Sequence, residues 1–477
     1  MMACLRATLQ ARLKGGAAAL LVPALGAGLA LPNPAAGHPS IPSRSVGVPH
    51  GLVSAIHRLL GPGRIGLGST PTWKSTTKPA AVLTNSAGSG GDQLGYAVSL
   101  SQDGTTALVG AFTANSNKGA AYIFHVKSAG SWKTTSTPAA MLTDSSGSNG
   151  DSFGDAVSLS ADGTTALIAA FGVSSGQGAA YVFHVTSESA WTTTSSPQAV
   201  LTVPQTNPPA DLGSAVALSA TGTTALVGAT SVNSGRGATY VFHVASPGSW
   251  KSTSHPTAVL TTAHTKDLQT GYAVALSSDG TTAVVGSSTD SKATVYVFHV
   301  ASAGKWKTTS TPTAALGNKS GTAEDFFGLA VAISADGLTA VVGAQGQKTN
   351  VGAAYVFHVK SEGAWKTTSV PTADLTNGPA AQSDNVGCAV AVSSNGSTAL
   401  LGALGVNGQD GAAYVFHVTS AASWKTTSKP TASLSDSSSQ NGDQFGLAAA
   451  LSGDGLTALL GAPHVNASAG QAYIYRA

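Results

Sequence analysis

Residues Gly178–Val185 read GAAYVFHV, and the same eight residues return at Gly352 and Gly411. Variants stand at Gly119, Gly237, Lys292 and Gly470. Working outward, each copy belongs to a longer unit opened by a tryptophan. Trp73, Trp132, Trp191, Trp250, Trp306, Trp365 and Trp424 lie 59, 59, 59, 56, 59 and 59 residues apart. A fixed period of this size marks a repeat architecture. Each unit reads roughly WKTTSTPTAxLT, a variable loop, GDxFGxAVALSxDGTTALVGA, a second variable loop, then GAAYVFHV.

The unit holds four short strand signals. GYAVSLS from Gly95 and TALVGA from Thr106 flank an Asp-Gly pair, a hairpin signal because both central residues tolerate positive φ. Asp162-Gly163, Asp279-Gly280, Asp336-Gly337, Asn395-Gly396 and Asp454-Gly455 repeat it, and Thr221-Gly222 is the weak copy. AYVFHV is a third strand. PTAxLT is a fourth, read as polar and Thr-rich in the manner of an outer edge. Four antiparallel strands per unit, seven times over, predict an all-β, seven-bladed β-propeller. The last unit stops after its third strand, whereas a spare fourth-strand segment spans Trp73 to Thr84. The ring is therefore expected to close with this N-terminal outer strand. A solenoid, the alternative, would need atypical end repeats.

The wording FGxAVALS…ALVGAP…GAAYVF resembles the FG-GAP repeats of the integrin α-subunit propeller and of many bacterial surface proteins. Phe153-Gly154, Phe327-Gly328 and Phe445-Gly446 carry the FG element, and Gly461-Ala462-Pro463 carries GAP in full. The resemblance covers about Ser69 to Ala477. It implies extracellular binding or adhesion without catalysis. Many such repeats hold calcium in an Asp-rich loop between the first two strands. Calcium needs six to eight oxygen ligands, and the hairpin here has a single Asp. No metal and no cofactor is expected.

The chain before the repeats has a different character. Arg6, Arg12 and Lys14 precede an apolar run over 15–32, and small residues follow, as in a secretory signal. The expected division is a signal peptide over 1–36, a linker over 37–68 and the propeller over 69–477, with the protein secreted or at the cell surface. No later stretch is apolar enough to span a membrane. If the signal is removed, Cys388 is the only thiol left, so the core must hold the fold without disulfides. Charged residues make up only 9% of the chain, against about 25% in average proteins. Six of the 24 basic residues precede Ser69, leaving 18 against 21 acidic ones, so no basic stripe argues for nucleic acid.

Three sets of residues are candidates for function. His125, His184, His243, His299, His358 and His417 share one strand position, with Arg476 in the seventh slot. Neighbouring copies stand too far apart to share an ion, and each is expected to bond a loop carbonyl. Asp92, Asp151, Asp211, Asp267, Asp325, Asp384 and Asp443 precede the innermost strand, near the channel mouth. They are read either as turn caps or as an acidic mouth. Cys388 shares a slot with Tyr96, Asp155, Ser214, Tyr272, Leu329 and Leu447 and is read as an inert structural thiol. The two variable loops of each unit fall on one face, the natural place for binding on a rigid scaffold. His264, Lys266 and Asp267 on one loop and Lys319, Glu324 and Asp325 on the next are the expected contact residues. The partner class is an extracellular protein or glycan, met by a monomer. The alternatives are a hydrolase or lyase with its site in the funnel, or a purely structural envelope protein.

Overall fold

Four-stranded antiparallel sheets recur seven times in the computed structural model, which describes residues 72–477 apart from 264–268, 288–293, 320 and 379–380. The signal segment and linker expected over 1–68 lie outside the described residues. Blade 1 has strands Ala97–Leu100, Thr106–Ala111, Ala120–His125 and Ala140–Leu142, in that order from the axis outward. Blades 2–6 repeat the plan. In blade 7, strands Ala448–Leu451, Thr457–Ala462 and Gln471–Arg476 come from the C-terminal end, and the fourth strand is Ala81–Leu83. Val82 pairs with Tyr473 across that last junction.

The inner hairpins are built from one side-chain pattern. Ser101 Oγ accepts the Thr106 N–H, five residues on, at 2.9 Å and donates to Asp103 Oδ1 at 2.6 Å. Asp103 Oδ1 also accepts the Thr105 N–H at 3.0 Å. These bonds account for the recurring SxDGTT. Only the glycine adopts a left-handed backbone, with Gly104 at φ 71°. The expectation of two left-handed turn residues is therefore corrected. The aspartate serves through its carboxylate and keeps an ordinary φ.

The same hairpins meet around the axis. The N–H of Gln102 donates to Ala161 O, Ala161 to Ala220, Ala220 to Ser278, Ser278 to Ala335, Ala335 to Ser394, Ser394 to Gly453, and Gly453 back to Gln102, all at 2.8–3.0 Å. Seven peptide groups thus form an unbroken cycle at the bottom of the channel.

The tryptophan ties the outer strand to this hairpin. In every blade its indole N–H donates to the hairpin glycine carbonyl, as Trp132 does to Gly104 at 2.7 Å and Trp73 to Gly455 at 2.8 Å. The residues after the tryptophan then run beside the outer strand of the preceding blade. Met141 N–H donates to Thr193 Oγ1 at 3.1 Å, and Thr143 N–H donates to Thr194 O at 3.1 Å. This corrects the expectation of a polar, Thr-rich outer strand. Ala140 and Leu142 are buried, and the Thr-rich segment of the next unit covers the edge that would otherwise invite pairing with another chain.

Glycine sets the spacing between blades. A Cβ on Gly110 would lie 2.0 Å from Gly154 O, and one on Gly461 would lie 1.8 Å from Gly95 O. The glycines of FG and of GAP therefore face each other across the blade junction. Gly110→Ala should cost about 1–3 kcal/mol, as overpacked cores do, read as a lowered midpoint in urea. An unchanged midpoint would mean the junction yields freely.

Deleting residues 72–86 should abolish cooperative unfolding or drop the melting temperature by ten degrees or more. It removes the Ala81–Leu83 strand, the Trp73 bond and the contact of Thr76 with Leu434. A truncated protein with the parent's melting curve would show that the N-terminal strand is dispensable.

Candidate binding face

The variable loops do share a face, because they bond each other across blade junctions. Gly150 and Ser152, on the loop entering blade 2, both donate to Asn117 O of blade 1, and Phe153 donates to Lys118 O. The loop joining strands two and three has a common backbone. Its two central residues are left-handed in six blades, Asn115 and Ser116 at φ 55° and 61° among them. Diversity here is in side chains carried on a fixed frame.

A concavity of about 1320 Å3 on this face spans blades 1–3. Phe112, Ser148, Asn149, Asp151, Ser174 and Pro209 are among its lining residues. It does not include the expected contact residues. His264, Lys266 and Asp267 lie outside the described residues. Lys319 and Glu324 are exposed, but Asp325 is buried and accepts the Thr322 N–H at 3.1 Å. The other ring aspartates behave alike: Asp92, Asp151, Asp384 and Asp443 each accept the N–H three residues back. Asp211 departs from the pattern and takes the hydroxyl of Ser231.

A set of residues that the sequence reading passed over joins these aspartates. Seven positions before five of them stands Asn85, Asp144, Asn318, Asn377 or Asp436. Each bonds the hydroxyl of the next GAAY tyrosine: Tyr122, Tyr181, Tyr355, Tyr414 and Tyr473 in turn. Burial pushes all five phenols above their usual range, and the ring aspartate beside each adds to the shift. Blade 3 has Val203 at the Asn/Asp position, and its Tyr240 is raised by burial alone. The spacing Asx-x6-Asp was present in the sequence. It is hidden there because the intervening residues vary from loop to loop.

The histidines lie on the third strand of each sheet, and their partner corrects the expected loop carbonyl. Each His Nδ1 lies 2.9–3.0 Å from the hydroxyl of the threonine opposite it on the second strand. In blades 1 and 4 that threonine also donates to a glutamate of the next blade, Thr106 to Glu188 at 2.7 Å and Thr282 to Glu362 at 2.8 Å. With its proton spent there, the threonine oxygen accepts from His125 or His299, which fixes the tautomer. Cys388 is buried, its Sγ 3.5 Å from Gly446 O.

A family model described as FG-GAP repeat matches residues 78–124, 137–183 and 313–357. This chain is an FG-GAP repeat propeller. Each matched segment runs from the outer strand of one blade through the third strand of the next, so the family's sequence unit is offset from the structural blade. No curated protein matches the chain. Within the FG-GAP propeller, no helix among the described residues is long and apolar enough to cross a membrane.

Asp155, in the slot shared with Cys388, is fully buried, and its Oδ2 has no protein partner among the described residues. Burial pushes its carboxyl well above the usual range, opposed by the Ala156 N–H. A carboxyl raised in the folded state contributes its stability below about pH 4, and that contribution is lost as pH climbs through the folded value. The melting temperature of Asp155→Asn relative to the parent should therefore rise between about pH 4 and pH 8. A difference that stays flat across that range would place the ionised carboxylate comfortably in the fold.

Proposed function

We propose that this FG-GAP propeller is a non-catalytic binding or adhesion module that acts outside the cell. Its variable-loop face is the recognition surface, and the cleft across blades 1–3 is the principal contact. One observation carries this reading: a broad concavity, about 1320 Å3, lies on the only face whose side chains differ from blade to blade. The opposite face repeats DGTT and HVxSxGxW almost unchanged, and a near-sevenfold surface discriminates poorly between partners. The fold family supports a scaffold that binds, since FG-GAP propellers are typical of extracellular and cell-surface proteins. The resemblance stated for the repeats implies secretion in the same way.

The test is binding of the full chain to a panel of extracellular proteins and glycans, followed by substitution on each face. Replacing Ser148, Asn149 and Ser174 with bulky charged residues should weaken binding tenfold or more with little change in melting temperature, as exposed substitutions usually do. Replacing Lys133, Lys251 and Lys307 on the opposite rim should leave binding intact. The reverse pattern would move the site to the other face.

A further inference from the structure

Two smaller hollows lie beside the cleft, and they are copies of one site. The first, about 190 Å3, lies between blades 1 and 2 and is lined by Lys118, Gly119, Asp144, Asp151 and Tyr181. The second, about 220 Å3, lies between blades 7 and 1 and is lined by Ala469, Gly470, Asn85, Asp92 and Tyr122. The aspartates, the tyrosines and the Asn85/Asp144 pair are each one 59-residue repeat apart. The first hollow shares Asp144, Asp151 and Tyr181 with the cleft, and the second adjoins it in sequence, since Gln93 and Phe112 of the cleft follow Asp92 and Ala111 of the hollow. The three depressions thus follow one another as a track from blade 7 to blade 3.

We infer that this track binds a linear polysaccharide of neutral sugars, with successive units seated in the hollows of successive blades. The inference rests on the binding reading above and names the ligand class for it. Each hollow has room for about six waters, the scale of one sugar ring. Its chemistry is that of hydroxyl recognition. Asp92 and Asp151 each hold one oxygen on a loop N–H, at 2.8 Å from Ser89 and 2.6 Å from Ser148. The carboxylates are thereby fixed in direction and present their remaining acceptor capacity at the wall. Phenol and amide groups stand beside them. Charge argues against polyanions: Asp92, Asp144, Asp151 and Asp211 line the track, and Lys118 is the one cation among its described lining residues. A repeated site also favours a repeating ligand, since linking two sites raises affinity without any new contact.

Lys118 and Ala469 occupy the same place in the repeat, where other blades carry Gln177, Arg236, Val351 and Asp410. Both have ordinary helical backbone angles, so the position accepts any side chain. The experiment is calorimetric titration of the full chain with glucose and with β-1,4-, β-1,3- and α-1,4-linked glucose oligomers up to the hexamer, with mannose and galactose oligomers and heparin alongside. At least one neutral series should bind tenfold or more tightly as hexamer than as monomer, and heparin should not bind. Lys118→Trp with Ala469→Trp should reduce hexamer binding tenfold or more at an unchanged melting temperature. Should that variant fail to fold, Ala469→Arg, the side chain blade 3 already carries, fills the second hollow alone and should weaken the hexamer more than the monomer. Equal affinity for monomer and hexamer, no binding by any neutral series, preference for heparin, or hexamer binding untouched by filled hollows would each overturn the inference. A protein ligand lost on substitution of Ser148, Asn149 and Ser174 would leave the binding function standing while overturning the polysaccharide.

Discussion

Seven peptide groups pass hydrogen bonds head to tail around the channel floor, from Gln102 through Gly453 and back to Gln102. Each bond needs the inner hairpins of two neighbouring blades at one fixed separation. That separation is possible only because the blade junctions above it are backbone against backbone, with Gly110 against Gly154 and Gly461 against Gly95. Side chains finish the arrangement. The serine and aspartate of each hairpin hold the turn in shape, and the tryptophan indole brings the next outer strand down onto its glycine carbonyl. Each conserved-looking word of the repeat thus answers to one contact: FG and GAP to the junction, SxDGT to the floor, and WKTT to the rim.

The same economy explains how so few charges suffice. Propeller edges are hazards when free, and here the outer edge of every blade is occupied by the threonine-rich segment of the next unit. Hydroxyl groups do work that charged residues often do elsewhere. They accept strand-edge N–H groups at the rim, as Thr193 does from Met141, and bond the histidine row on the third strands. The histidines follow from this bonding. Each has a threonine partner fixed by strand register.

On the variable face the frame and the contents separate. The left-handed pairs such as Asn115 and Ser116, and the aspartate turns such as Asp151, hold nearly the same backbone from blade to blade. What changes is the side chains on that frame and how far they leave hollows between blades. Tyr181 bonded to Asp144 and Tyr122 bonded to Asn85 keep the entry loops in place from beneath, and the track follows from the space they leave.

The sequence by itself determined the repeat, the number of blades and the strand order, because period-two alternation and turn chemistry are local and are written seven times. It also determined which loops vary. Only the tertiary structure decided where those loops leave room. The sector of Lys319, Glu324 and Asp325 had more charge to recommend it, yet Asp325 turns inward to cap its own loop. The concavity formed at blades 1–3, from serine, asparagine, glycine and proline residues together with Asp144, Asp151 and Asp211. Charge is legible one residue at a time. A hollow is a relation between residues of different blades, and the Asx-x6-Asp spacing acquires meaning only when a tyrosine from the next GAAY strand arrives against it. The histidine partner was hidden for the same reason: it is a threonine hydroxyl on the neighbouring strand, whose place is set by strand pairing.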